Sequence, residues 1–139
     1  MQKIIEISSS QRQQILDLTE KIKQIIKESK VKIGICQIYT PHATAAIAIN
    51  ENWDPNIGLD LLNVLNELIP QGKWLHDRVD NNGAAHLKSA IIGPSETIPI
   101  IDEKLQLGRW QNIVLCDFDG PKKRKIIITL LPLKQNAQL

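Results

Sequence analysis

Turn residues cut this chain into short apolar runs, and that pattern constrains its fold more than any other feature. Residues 2–7, 33–39, 45–50, 97–101, 104–107, 110–118 and 125–131 are strand-length, rich in Ile, Leu and Val, and bounded by Pro, Gly, Asp or Asn. Asp102-Glu103 is a two-residue turn between two of them, and Asp119-Gly120-Pro121 is a turn signal before the last. Only two stretches have substantial helical periodicity. In residues 12–28 the apolar positions are Ile15, Leu18, Ile22, Ile25 and Ile26, with Ser8, Ser9 and Ser10 offering caps before them. Asp54-Pro55 opens the second, in which Ile57, Leu61, Val64, Leu65 and Leu68 share a face until Pro70 and Gly72. Residues 86–92 form a short helix ending at Gly93. Strands joined by hairpins with two main helices make an α+β chain with antiparallel sheets. Its 139 residues form a single domain, 1–139, large enough to fold without disulfides or a structural metal.

A net charge of +2 is too balanced to point to nucleic acid, and 4% aromatic residues leave few groups to stack on bases. No apolar run reaches the roughly 20 residues of a membrane span, and residues 1–10 lack a signal-peptide pattern. The expectation is a cytoplasmic protein without membrane or nucleic-acid partners. Cys36 and Cys116 lie in apolar runs and read as buried thiols on neighbouring strands.

Chemistry concentrates in residues 40–52, TPHATAAIAINEN. His42 follows a proline turn. Ala46 and Ala48 share one strand face, which invites close packing, and Asn50, Glu51 and Asn52 close the stretch. Strand parity puts His42, Thr44 and Asn50 on one face and Glu51 on the other. His42 and Glu51 therefore serve one site only if the chain turns, or if Glu51 serves a second subunit. Glu51 is the candidate general base, or else a turn carboxylate ahead of the second helix. His42, His76 and His86 all flank loops, and three histidines with an open position form a catalytic zinc pattern if the fold gathers them. Ser89 and Ser95 bracket the turn at Gly93-Pro94 and are either phosphate donors or caps. The cations Lys122, Lys123 and Arg124 beside Gly120-Pro121 read as a diphosphate clamp or a solvated hairpin end. Trp110-Gln111 is a pocket wall, or else core or subunit interface.

The ordered set formed by His42 with Thr44, Asn50-Glu51-Asn52 with Asp54-Pro55 and Asp60, Ala85-His86-Leu87-Lys88-Ser89, Gly93 with Ser95, Leu107-Gly108 with Trp110-Gln111, and Asp119-Gly120-Pro121 with Arg124 resembles the YjbQ-like family. That family is described as secondary thiamine-phosphate synthases. The resemblance implies an α+β homotrimer with a histidine-lined pocket near a subunit boundary. It implies a divalent metal, zinc before magnesium, on His42, His76 and His86, and a catalytic set of Glu51, His42 and His86. A small phosphorylated substrate would meet Thr44, Asn50, Ser89, Trp110, Gln111, Lys122 and Arg124. The implied reaction joins hydroxymethylpyrimidine diphosphate to thiazole phosphate and releases diphosphate. Phosphoester hydrolysis on the same site, or a trimer that binds a metal or phosphorylated ligand without turnover, are the alternatives. A chain this short cannot build the roughly 250-residue (β/α)₈ barrel of the ordinary synthase, so such activity would be convergent. Three positions depart from the family pattern. Ala43 replaces a hydroxyl residue, Lys122 an arginine and Glu103 a hairpin glycine.

Overall fold

With one exception, strands that follow one another along the chain alternate between two antiparallel sheets. The computed structural model describes residues 1–134, so the last residues of the expected 1–139 domain lie outside the described ones. The elements are β1 (Gln2–Ser8), β2 (Gln14–Asp17), α1 (Thr19–Ser29), β3 (Ile33–Tyr39), β4 (Ala45–Asn50), α2 (Pro55–Leu68), a 3₁₀ turn (Leu75–Arg78), α3 (Gly83–Ile92), β5 (Ser95–Ile101), β6 (Lys104–Leu105), β7 (Asn112–Asp117) and β8 (Lys123–Pro132). The larger sheet has the order β1-β8-β3-β5-β6, the smaller β2-β7-β4. An α+β class with antiparallel sheets is therefore what forms.

Hairpins play a smaller part than the sequence pattern suggests. Among the described residues only β5 and β6 pair directly across a two-residue turn, at Asp102-Glu103. β7 and β8 flank Asp119-Gly120-Pro121 yet belong to different sheets, because the inward residues of both strands are needed in one core between the sheets. Ile113 and Leu115 of β7 meet Ile126, Ile128 and Leu130 of β8 there, with Cys36 and Ile38 of β3, Ile47 of β4 and Ile22, Ile25 and Ile26 of α1. The other face of the small sheet is a second core. Ala46, Ala48, Val114 and Cys116 pack with Ala85 and Ile92 of α3 and Leu61, Leu62 and Leu65 of α2. The two alanines of β4 thus admit a helix at close range.

The expected helix over residues 12–28 is a short strand followed by a helix. Gln14–Asp17 pairs with residues 114–117 of β7, so that Leu16 enters the first core and Ile15 the second. Ile15 and Leu18 fit a helical stripe equally well, and the hydrogen bonds offered by β7 decide between them. α1 begins only after Asp17, whose Oδ1 accepts the Thr19 N–H at 2.7 Å. α2 starts as read, with Asp54 Oδ1 accepting the Asn56 N–H at 2.9 Å. Cys36 and Cys116 are both buried and free, but they sit in opposite sheets rather than on neighbouring strands. Among the described residues no helix is long and apolar enough to cross a membrane.

Candidate functional site

The candidate residues divide between the two ends of β4. At its N-terminal end His42 and Thr44 meet the end of β7 and the start of β8. Asp117, the last residue of β7, is fully buried and receives Arg124 Nε on Oδ2 at 2.9 Å and Nη2 on Oδ1 at 2.6 Å. Arg124 Nη2 also reaches Thr44 Oγ1 at 3.0 Å. Ser9 Oγ donates to Asp117 Oδ2 at 2.7 Å and accepts the Lys122 N–H at 2.9 Å. Gly120 has no room for a side chain here, because a Cβ would run into the Gln11 carbonyl and Ser9 Oγ. Burial pushes the Asp117 carboxyl up, but the bonds from Arg124, Ser9 and the Asp119 amide outweigh it, and the net shift is below the usual carboxylate value.

His42 is half-buried, and its Nε2 accepts the Lys125 N–H at 2.9 Å. A neutral ring in this orientation carries its proton on Nδ1 and offers a donor, not a free lone pair. Burial, then the charge of Arg124, holds its pKa below the ordinary value, with Asp117 opposing. The helical layer is tied to the same end. Asn82, at the start of α3, donates to Asp119 Oδ2 at 3.0 Å, and Lys122 Nζ reaches the same oxygen at 2.7 Å. His86, within the first turns of α3, meets His76 of the 3₁₀ turn edge to face, with ring centroids 4.6 Å apart. Asp80 Oδ2 lies 3.8 Å from His76 Nε2.

The opposite end holds Glu51. Its Oε1 accepts the Asp54 N–H at 3.2 Å and its own N–H goes to Asn50 Oδ1 at 2.8 Å, so it caps the entry to α2. Asp17 organises this end, accepting Asn52 Nδ2 at 2.7 Å and Asn112 Nδ2 at 3.2 Å on Oδ2. Asn50 pairs with Asn112 in register. Gln111 folds back, its Oε1 accepting the Gly108 N–H at 2.7 Å, and Trp110 is half exposed beneath the Arg109 guanidinium, 5.0 Å from the ring centre. Five residue steps of about 3.3 Å separate Ala45 from Asn50, so the two ends stand about 17 Å apart.

Several expectations meet different surroundings. The three histidines of one chain do not form a three-ligand metal site: His42 Nε2 is engaged by a backbone amide, and no three His, Cys, Asp or Glu side chains among the described residues come together for an ion. Lys122, Lys123 and Arg124 each already face a carboxylate, from Asp119, Glu6 and Asp117 respectively. Arg124 is 3% exposed and holds the fold rather than reaching for a ligand. Ser89 is buried with its Oγ unpartnered by protein atoms, and Ala43, the position lacking a hydroxyl, is exposed. Two organising carboxylates escaped sequence reasoning. Asp17 was hidden inside a helical pattern. Asp117 carried a signal, a lone charge in the buried run Ile113–Phe118. Lys88 is a further surprise, buried with only the amide oxygens of Asn66 and Gln13 as partners among the described residues and Phe118 beneath it.

Two facing antiparallel sheets, a helical layer on the smaller one and a carboxylate-centred polar cluster at each of its ends define a small α+β domain of one known type. The chain belongs to the YjbQ-like family: the family model described as UPF0047 protein YjbQ-like matches residues 3–132. A UPF0047 protein of Methanocaldococcus jannaschii is 44% identical over 126 residues, covering 91% of each chain. YugU of Bacillus subtilis, also a UPF0047 protein, is 36% identical over 131 residues, covering 94% of this chain and 99% of its own. A crystal structure titled as a YbjQ-like protein of unknown function from Sulfolobus solfataricus superposes with a TM-score of 0.92 at 34% identity, over 96% of this chain and 97% of the other. An uncharacterised member from Clostridium acetobutylicum gives 0.89 at 37% identity, over 93% and 99%.

Proposed function

We propose that this chain is a small-molecule enzyme with secondary thiamine-phosphate synthase activity, working as a homotrimer whose site is completed between copies. The observation that carries this reading is the separation of the His42 end of the small sheet from its Trp110–Gln111 end by the length of β4. A second copy that sets its Glu51, Trp110 and Gln111 against the end bearing His42, His76, His86 and Lys122 unites residues that one chain keeps apart. Apolar surface for such contact is present. Leu68, Leu75, Val79 and Ile91 on the helical layer are 70%, 79%, 76% and 69% exposed, an arrangement that associating copies bury.

In the reaction, the thiazole nitrogen lone pair forms a bond to the pyrimidine methylene carbon. The carbon–oxygen bond to diphosphate breaks, and its electron pair leaves with diphosphate. The nitrogen loses no proton, so this step needs no base. What it needs is an anion seat, which Lys122 supplies by exchanging Asp119 for a diphosphate oxygen while His42 donates through Nδ1–H. Water attack on a phosphoester, in contrast, needs a base, and Glu51 is its candidate. A divalent ion, zinc before magnesium, would lie on His76 and His86 with a further ligand from beyond that pair and would neutralise phosphate charge.

The test incubates purified protein, metal-replete, with both thiamine precursors and measures thiamine phosphate as its fluorescent thiochrome derivative. Product above the protein-free rate, lost in His86→Ala and kept in Glu51→Gln, supports synthesis. No product overturns it. Phosphate release that Glu51→Gln abolishes selects hydrolysis instead. A second reading, a trimeric binder of phosphorylated ligand, needs only the anion seat at Lys122. Calorimetric binding of hydroxymethylpyrimidine diphosphate with neither product nor hydrolysis selects that one.

A further inference from the structure

A cavity of about 640 Å³ opens between α1, the β5–β6 turn and the loop leading to β7, away from the histidine end. That size falls within the range of small-molecule sites. Its floor is apolar: Ile26 is fully buried, Leu105 nearly so, and Leu107 packs on the same core. Its walls carry four cations, Lys23, Lys27, Lys104 and Arg109. Lys23 is engaged by Glu20 at 2.9 Å, while Lys27, Lys104 and Arg109 face no carboxylate within ion-pair distance among the described residues. Arg109 is also held in place by its stacking on Trp110.

The rim carries a second, independent mark. Asp102 and Glu103 have φ of 51° and 60°, the left-handed region, where side chains are disfavoured relative to glycine. Both line the cavity. Backbone strain retained at the mouth of a pocket is an indication of function. Here it sets two carboxylates that face no cation within ion-pair distance among the described residues on the same cavity as Lys27, Lys104 and Arg109.

We infer that this cavity binds a small amphipathic anion: an apolar body on the Ile26–Leu105–Leu107 floor, an acidic head on Lys27, Lys104 and Arg109, and a hydroxyl or amino donor beside the head facing Glu103. The inference does not depend on the thiamine reading, although Gln111 borders the cavity. A carboxylate and a phosphate head share the chemistry, and the probes separate them.

Titrating full-length ¹⁵N-labelled protein with mandelate, phenylacetate, phenyl phosphate and benzyltrimethylammonium tests it. The expected result is saturable shifts of the Gly108 and Gln111 amides with at least one of the anions, and none with the ammonium. Lys27→Ala and Arg109→Ala, both at exposed positions, should each weaken the anion about tenfold, the worth of one charge-assisted hydrogen bond. Lys21→Ala should not. Mandelate should bind more tightly than phenylacetate, which lacks its hydroxyl, and lose that advantage in Glu103→Gly. Tighter binding of phenyl phosphate than of either acid assigns a phosphate head, the reverse a carboxylate. The proposal is overturned if no anion saturates, if the ammonium binds equally, if the two cation variants bind as the parent does, or if mandelate and phenylacetate are indistinguishable.

Discussion

Arg124 and Asp117 form a two-pronged ion pair that joins the larger sheet to the smaller one, with both side chains buried. Breaking one partner of such a pair strands a buried charge. Arg124→Met should therefore destabilise the fold by about 3–5 kcal/mol, measured by urea unfolding, and replacing Asp117 by Leu in the same chain should recover much of the loss.

Acid should act through the same cluster. The carboxyl of Asp117 titrates below its ordinary value, so its stabilisation is complete above about pH 4 and is lost as pH falls through the folded value. His42 adds an earlier step of the same sign, since its folded pKa lies below that of the unfolded chain. Stability should be level above pH 7, decline slightly as pH falls below about 6.5, and collapse only below about pH 4. Chemical denaturation at a series of pH values checks this, and His42→Gln should remove the earlier step alone.

The β5–β6 turn makes a different kind of claim. Both central residues have positive φ, and a two-residue hairpin of this type prefers glycine second. Glu103→Gly should raise stability by about 1 kcal/mol, read as a higher thermal midpoint, and so trade against the cavity's proposed ligand.

Cys36 and Cys116 should resist thiol reagents. Burial raises each thiol to about 12, and neither touches solvent. Ellman's reagent should report no reactive thiol in the native protein and two in guanidinium.

Association through the helical layer is open to a direct check. The intact protein should scatter light with three times the mass of one chain, and the double substitution Leu68→Glu and Val79→Glu should give single chains without loss of helical signal. Retention of the larger mass would place the contact elsewhere, and a single-chain mass for the parent would remove the trimer.

Much of this fold was legible because burial alternates cleanly. Gly34, Cys36 and Ile38 face inward on β3, and Ile33, Ile35 and Gln37 face out, as period-two reading requires. Legibility failed where two patterns coincide. Ile15 and Leu18 satisfy a helix as well as a strand, and only a long-range partner, β7, decides for Ile15. Sheet membership was equally hidden, since Asp119-Gly120-Pro121 looks like a hairpin whether the chain returns beside β7 or crosses to the other sheet. At the site, residue types were readable and partners were not. Arg124 beside a Gly-Pro turn looks ready for phosphate until Asp117 is found opposite it. Strand parity warned that His42 and Glu51 do not automatically share a pocket, and the two stand beyond opposite ends of β4.

The position of β8 has a consequence for how the protein is made. This strand, the last among the described residues, lies between β1 and β3, bonded to both. While the ribosome is still adding residues 123–132, both flanking strands expose unmet backbone groups and the inner core lacks Ile126, Ile128 and Leu130. The nascent chain therefore cannot settle in stages from its N-terminus. It must wait for β8 to emerge, and throughout that wait its open strand edges are targets for holding chaperones and for aggregation.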